Sequence, residues 1–188
     1  MEVDSADYHD YVIKEGKLIG EFEQMYQKSA EIPWHQDKTE TLIDVHLTIE
    51  LLRRLPIAMV VDYGCGLGYY LDVLVRKLNA KVGRGFDISE TAVQRATSNF
   101  PKYTYRQADL TIQDHPSLSI DRFDSNDRSV PTCHIIRGTL WYVFPRIETV
   151  VHNLIANLSR DDILVVVQNF PPLNSNFVGK EVIPTPMR

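Results

Sequence analysis

The chain has 188 residues, of which 44% are hydrophobic and 24% charged, and this composition is typical of a single globular domain with a buried core. Its net charge of −5 provides no basic field to hold the phosphates of a nucleic acid, so we expect no nucleic-acid partner. The N-terminus lacks the apolar core of a signal peptide, no apolar run reaches the ~20 residues of a membrane span, and Cys65 and Cys133 form no metal-type spacing. We therefore expect a cytoplasmic protein with no membrane partner and no bound metal.

Residues 1–56 are predicted to form a helical N-terminal segment. The stretch "EGKLIGEFEQMYQ" favours a short helix, and Pro33 interrupts the chain after it. Between Lys38 and Leu55, apolar residues recur at steps of three and four, which predicts an amphipathic helix ending before Pro56.

Residues 57–172 alternate between predicted strands and helices. The strands are "IAMVVDY", "KVGRGFDI", "YTYRQADL", a segment within "TCHIIRGTLWYV", and "DILVVVQNF". Helices are predicted after each of the first two strands and before the last, and a polar loop is predicted from Thr111 to Val130. This alternation predicts an α/β fold with a doubly wound, mostly parallel sheet of about five strands and helices on both faces. Residues 173–188 show no clear element and are expected to form an irregular tail.

Three glycines, Gly64, Gly66 and Gly68, follow the first strand of this core in "VVDYGCGLGYYLDVL". A tight strand-to-helix turn that needs positive φ is one explanation. A phosphate loop of the Walker type is excluded because no lysine follows at the required place. A dinucleotide loop needs G-x-G-x-x-G/A, whereas here the third glycine comes one residue early and Tyr69 occupies the position of the small residue.

The G-x-G-x-G spacing in "VVDYGCGLG", together with "GFDIS" and "QADL", resembles the motifs of class I S-adenosylmethionine-dependent methyltransferases, of the small-molecule type. The resemblance covers roughly residues 60–170 and implies a Rossmann-like fold, S-adenosylmethionine as the cofactor and S-adenosylhomocysteine as its product. It also implies that Asp87 binds the ribose hydroxyls, that Asp109 meets the adenine amino group, and that Ile88 and Leu110 enclose the adenine. The full set of predicted cofactor-binding residues is Asp62, Gly64, Cys65, Gly66, Gly68, Asp87, Ile88, Asp109, Leu110 and Arg137.

The chemistry of the cofactor agrees with this assignment, because one carboxylate grips a vicinal diol through two charge-assisted hydrogen bonds. Methyl transfer from a sulfonium is an in-line displacement in which the protein mainly aligns the nucleophile and excludes water. A general base is needed only when the acceptor holds a proton of high pKa, such as that of a sugar hydroxyl.

The resemblance implies that the acceptor is framed by the end of the fourth strand, the N-terminal helix and the loop after the fifth strand, so that residues 1–56 act as a lid over the substrate site. These segments offer Arg137, Thr139, Trp141 and Tyr142, then Tyr11, Tyr26, Trp34 and His35, and finally Asn169. "RGTLWYVF" departs from the many relatives that carry a histidine pair near this place. We take His35 and Tyr142 as candidate catalytic residues, with a solvated loop histidine as the alternative for His35.

We therefore expect methyl transfer to oxygen or nitrogen of a sugar or other small metabolite. The alternatives are a regulatory module that binds the cofactor without turnover and a methyltransferase of a macromolecule. The antiparallel hairpin that completes the family's sheet is apparently missing, because too few residues follow "DILVVVQNF" to form it. We expect the fifth strand to lie at or near an edge of the sheet, through which the chain could form a homo-oligomer.

Overall fold

A computed structural model describes residues 7–120 and 131–169 of the chain. Its centre is a parallel sheet of five strands in the order β5-β4-β3-β6-β7. The strands are β3 (Met59–Tyr63), β4 (Val82–Asp87), β5 (Thr104–Gln107), β6 (Thr132–Arg137) and β7 (Ile163–Val167). A separate two-stranded antiparallel sheet, β1 (Ile13–Lys14) and β2 (Lys17–Leu18), precedes it.

Helices cover both faces of the parallel sheet, which confirms the predicted doubly wound α/β arrangement. Successive side chains of a strand point to opposite faces, so the five buried residues of β3 contribute to two cores. Val60 packs with α2 (Ile43–Leu52), α3 (Tyr69–Lys77) and α4 (Glu90–Asn99) on one face. Met59, Val61 and Tyr63 belong to the other core, to which α6 (Ile147–Asn157) contributes. A short helix, α5 (Leu140–Val143), follows β6.

The N-terminal segment differs from the prediction in its first half. The helix expected within "EGKLIGEFEQMYQ" forms only as α1 (Phe22–Lys28), because the residues before it make the β1–β2 hairpin. Gly16 and Gly20 have φ of 70° and 66°, values that are incompatible with a right-handed helix.

The predicted amphipathic helix is also shorter than expected. Residues Pro33–Thr41 form a 3₁₀ segment, and Leu42 is extended, so α2 begins only at Ile43. The Thr41 hydroxyl donates to the carbonyl of Lys38 and stabilises the preceding turn. The predicted polar loop after β5 contains a single short 3₁₀ turn, Pro116–Leu118, and its residues 121–130 lie outside the described part of the chain.

Within the described residues, strand β7 lies at one edge of the sheet, as predicted. Its side chains alternate, so Leu164 and Val166 are exposed while Val165 packs against the core with α2 and α3. The predicted tail 173–188 lies outside the described residues. Within residues 7–120 and 131–169, no helix combines the length and apolar character needed to cross a membrane.

Candidate cofactor and acceptor site

A cavity of about 660 Å³ opens at the carboxyl ends of the parallel strands, where open α/β sheets bind their ligands. Eight of the ten predicted cofactor-binding residues line it: Asp62, Gly64, Cys65, Asp87, Ile88, Asp109, Leu110 and Arg137. The two candidate catalytic residues, His35 and Tyr142, line it as well. The topology explains this convergence, because the four strands β3 to β6 are parallel and end at one edge.

The glycine loop owes its composition to contacts within the protein. Gly64, Gly66 and Gly68 have φ of 81°, 52° and 84°, which only glycine adopts without strain. A Cβ on Gly66 would lie 2.4 Å from the Gln36 side chain. A Cβ on Gly68 would lie 2.6 Å from the Tyr105 hydroxyl. Gly66 and Gly68 do not line the cavity, so their predicted contact with a cofactor stays a prediction, and the structure supplies a separate reason for each glycine.

Asp87 ends β4 and joins the glycine loop to the next helix. Its Oδ2 accepts the Gly66 N–H at 2.8 Å, and its Oδ1 accepts the Ser89 N–H at 2.9 Å. Burial raises the pKa of Asp87 to about 6, although these N–H groups act in the opposite direction. The Ile88 N–H also lowers this pKa through a backbone hydrogen bond. A carboxylate offers about four acceptor positions, so acceptor capacity is left for a ligand hydroxyl.

Asp62 and Arg137 lie at the ends of the neighbouring strands β3 and β6. Burial raises the pKa of Asp62 to about 7, while the charge of Arg137 lowers it. Arg137 itself donates to Asp44 of α2 at 2.6 Å and its guanidinium stands 4.9 Å from the centre of the Tyr70 ring. Since Arg137 is held by this ion pair, it contributes a fixed positive charge to the cavity wall.

The residues predicted to hold the adenine lie together at the ends of β4 and β5. Asp109 accepts the N–H and hydroxyl of Thr111, at 2.8 and 2.7 Å, through Oδ1. Its Oδ2 is left to receive another donor. Ile88 is 44% exposed and Leu110 is buried, and both line the cavity. An amino donor and an apolar ring fit this combination of carboxylate and aliphatic side chains.

Aromatic rings line part of the cavity, and we call Tyr8, Phe22, Trp34 and Tyr142 the aromatic wall. The Tyr142 ring centre lies 5.1 Å from that of Phe22 and 5.9 Å from that of Trp34. Tyr8 meets Trp34 edge-on at 5.8 Å. Burial raises the pKa of Tyr142 to about 12, so its hydroxyl stays protonated near neutral pH. Tyr142 is therefore a hydrogen-bond donor here and is unsuited to accept a proton.

Trp34 and His35 have φ of 53° and 47°, which places two successive residues with side chains in the left-handed region. His35 is exposed and lines the cavity. Cys65 is buried, and burial raises the pKa of its thiol well above its ordinary value, so it is not a thiolate nucleophile. Asn169, predicted as an acceptor contact, lies at the cavity lining after β7, and so do Thr139, Trp141 and Tyr26. Tyr11 does not line the cavity.

Sequence reasoning missed the residues that fasten the N-terminal segment to the core. The Glu23 carboxylate of α1 accepts the Ser89 and Thr91 hydroxyls at the start of α4. Arg95 of α4 donates to the carbonyl of Tyr26 at 3.1 Å. Gln36 bonds to the glycine loop. No local pattern marks these side chains, because each bond joins segments at least 31 residues apart.

The arrangement fits the group that the motifs imply. The carboxylates of Asp87 and Asp109 suit a ribose and an amino-substituted base, and the aliphatic side chains between them suit a flat ring. Within the described ranges 7–120 and 131–169, no group of three or more histidine, cysteine or acidic side chains could hold a metal ion.

Comparison with known proteins shows which solved structures share this fold. No protein-family model and no curated protein sequence matches the chain. Among solved structures, the DesVI protein of Streptomyces venezuelae matches with a TM-score of 0.53 and 16% identity, covering 75% of this chain and 55% of that one. A TehB-like S-adenosylmethionine-dependent methyltransferase from Corynebacterium glutamicum matches with a TM-score of 0.50 and 19% identity over 72% of this chain and 73% of that one.

The sugar N-methyltransferase KedS8 from a Streptoalloteichus species also matches, with a TM-score of 0.50 and 19% identity, over 70% of this chain and 50% of that one. The chain thus spans about half the length of DesVI and KedS8. These matches and the topology of the sheet lead to one conclusion: the chain has the Rossmann-like fold of S-adenosylmethionine-dependent methyltransferases.

Proposed function

We propose that the chain binds S-adenosylmethionine and transfers its methyl group to a small-molecule acceptor, at oxygen or nitrogen of a sugar or metabolite. The observation that supports this most is the convergence of Gly64, Asp87 and Asp109 on one cavity that the aromatic wall also lines. Two of the structures with the same fold are named as methyltransferases, one of them a sugar N-methyltransferase.

In this proposal the strand ends hold the cofactor. Asp87 receives the ribose hydroxyls through its remaining acceptor capacity, and Asp109 receives the adenine amino group through Oδ2. Ile88 and Leu110 pack on the adenine ring, and Asp62 and Arg137 border the methionine part. When bound, the cofactor supplies the electrophilic methyl group.

The acceptor then occupies the end of the cavity bounded by the aromatic wall. These rings exclude water from the reacting atoms and orient the acceptor for in-line attack. The protonated hydroxyl of Tyr142 donates a hydrogen bond to the acceptor, and the imidazole of His35 takes the proton that the acceptor loses when that proton needs a base. An amine acceptor in its neutral form needs no such base before attack.

In this proposal the two segments of the chain have different roles. Residues 1–56 form the lid and contribute Trp34 and His35 to the acceptor end, and residues 57–172 form the core that binds the cofactor. The acidic net charge favours a small acceptor over a nucleic acid. A cofactor-binding module without turnover is the alternative.

Incubation of the protein with methyl-labelled S-adenosylmethionine and a fractionated metabolite extract tests the proposal. We expect label in a small-molecule fraction, and loss of that label in Asp87→Asn protein. Binding of S-adenosylhomocysteine without label transfer to any fraction would favour the regulatory module, and label in protein or nucleic acid would favour a macromolecular acceptor.

A further inference from the structure

Gln36 links the lid to the glycine loop through both ends of its amide. Its Oε1 accepts the backbone N–H of Leu67 at 2.8 Å, and its Nε2 lies 3.0 Å from the Tyr26 hydroxyl oxygen. Because a backbone N–H can only donate, it fixes the amide with its oxygen toward Leu67. The amide nitrogen must then face Tyr26 and donate to it.

This orientation leaves the hydrogen of the Tyr26 hydroxyl without an acceptor. The oxygen of Tyr26 is the acceptor in its bond with Gln36, and the hydroxyl makes no second hydrogen bond in the described part of the chain. Tyr26 is only 5% exposed and lines the cavity. A buried donor without a partner is costly, so a ligand that offers an acceptor atom there is favoured.

The surroundings of Tyr26 indicate what such a ligand offers. The hydroxyl oxygen stands 2.7 Å from the place of a Cβ on Gly66, whose N–H is bonded to Asp87. Burial, and next the charge of Asp87, raise the pKa of Tyr26, so the hydroxyl stays protonated and faces that carboxylate's field. The Asp87 carboxylate can only accept, and the Tyr26 hydroxyl has a hydrogen to donate. A hydroxyl of the ligand placed between them satisfies both, because it donates to Asp87 and accepts from Tyr26.

The backbone before Gln36 is strained in a way that holds this arrangement. Trp34 and His35 both have left-handed φ, and strain of this kind persists where the surrounding structure determines the position of a neighbouring group.

We propose that Tyr26 is a ligand-binding residue that donates to a ribose hydroxyl held on its other side by Asp87, and that Gln36 is the positioning residue that frees the Tyr26 hydrogen for this bond. The inference rests on the proposed function and extends it, since it assigns to the lid a part in binding the cofactor's sugar.

Calorimetric titration of Tyr26→Phe protein with two probes tests this. S-adenosylhomocysteine and 5′-methylthioadenosine share the adenosine part, and the second lacks the amino acid. We expect Tyr26→Phe to weaken both by about three- to tenfold, the loss of one net hydrogen bond, because the ring is kept. Tyr103→Phe is the control, since it also removes one hydroxyl, which donates to Asp72 at 3.1 Å, and Tyr103 does not line the cavity.

Gln36→Leu distinguishes positioning from packing. When Gln36→Leu is already present, adding Tyr26→Phe should lower the affinity for both probes only slightly further. The reason is that the amide no longer directs the Tyr26 hydrogen toward the ligand. Unchanged affinity of Tyr26→Phe for both probes, or a loss confined to S-adenosylhomocysteine, would overturn the assignment to the ribose while leaving the proposed function intact. Failure of the unmodified protein to bind either probe would contradict the proposed function itself.

Discussion

Replacing Asp87 by asparagine separates the ligand-binding role of this side chain from its structural role. The carboxylate accepts two backbone N–H groups, from Gly66 and Ser89, and asparagine retains only one acceptor oxygen. One of the two N–H groups then faces an NH₂ group, which costs about 1–3 kcal/mol of stability. In compensation, the neutral side chain removes a buried charge. Asp87 has a pKa of about 6, near two units above the ordinary value, so ionising it in the fold costs about 3 kcal/mol.

These two effects oppose each other, so the unfolding free energy of Asp87→Asn should differ from that of the parent by no more than about 2 kcal/mol. Ligand binding has no such compensation. The ribose loses charge-assisted hydrogen bonds worth about 2–4 kcal/mol together, which lowers the affinity for S-adenosylhomocysteine by roughly 30- to 1000-fold. Calorimetry at pH 8, where Asp87 is ionised, and thermal unfolding measure the two quantities separately. Asp37→Asn, an exposed change outside the cavity, is the control. An affinity within about threefold of the parent would show that Asp87 is only a turn acid.

Four further changes test other parts of the account. Asp62 has a folded pKa of about 7 against ~3.9 unfolded, so the folded state binds the proton more tightly between these values. The unfolding free energy should therefore fall as pH rises from about 4 to 7, and urea titrations should show a smaller fall in Asp62→Asn protein. His35→Asn places at this position another residue that tolerates left-handed φ, so the melting temperature should equal that of the parent. The rate of methyl transfer to a hydroxyl acceptor should drop about 100-fold or more, and an unchanged rate would exclude the role of His35 as a base. Gly66→Ala should lower the melting temperature more than Gly16→Ala, because both sites have positive φ but only the first Cβ meets other atoms within 4 Å. Val166→Lys should reduce any self-association through the β7 edge, and light scattering that shows a monomer for the parent at all concentrations would contradict that association.

The core of the fold, and the convergence of most of the proposed cofactor residues on one cavity, could be predicted because their signals are local. The G-x-G-x-G loop, Asp87 and Asp109 each follow a recognisable apolar strand, and a parallel sheet brings strand ends together without further information. Within residues 7–120 and 131–169, β7 lies at an edge of the sheet, as expected.

The acceptor end could not be predicted in the same way, because its contacts join distant parts of the chain. Tyr142 meets Phe22 only after the lid has packed on the core. The reason for Gly66 is likewise tertiary, since the atoms that exclude a side chain there belong to Gln36 and Tyr26. The β1–β2 hairpin was missed because the stretch "EGKLIGEFEQMYQ" was predicted as a short helix, whereas Gly16 and Gly20 have positive φ in the structure.

Parallel titrations of the unmodified protein with S-adenosylhomocysteine and with NAD test the central claim most directly. Both ligands contain an adenosine, so the comparison depends on the loop, where the third glycine comes one residue early and Tyr69 stands in place of the small residue of a dinucleotide site. We expect S-adenosylhomocysteine to bind at one site per chain and NAD to show no binding. Binding of NAD together with no binding of S-adenosylhomocysteine would contradict the account.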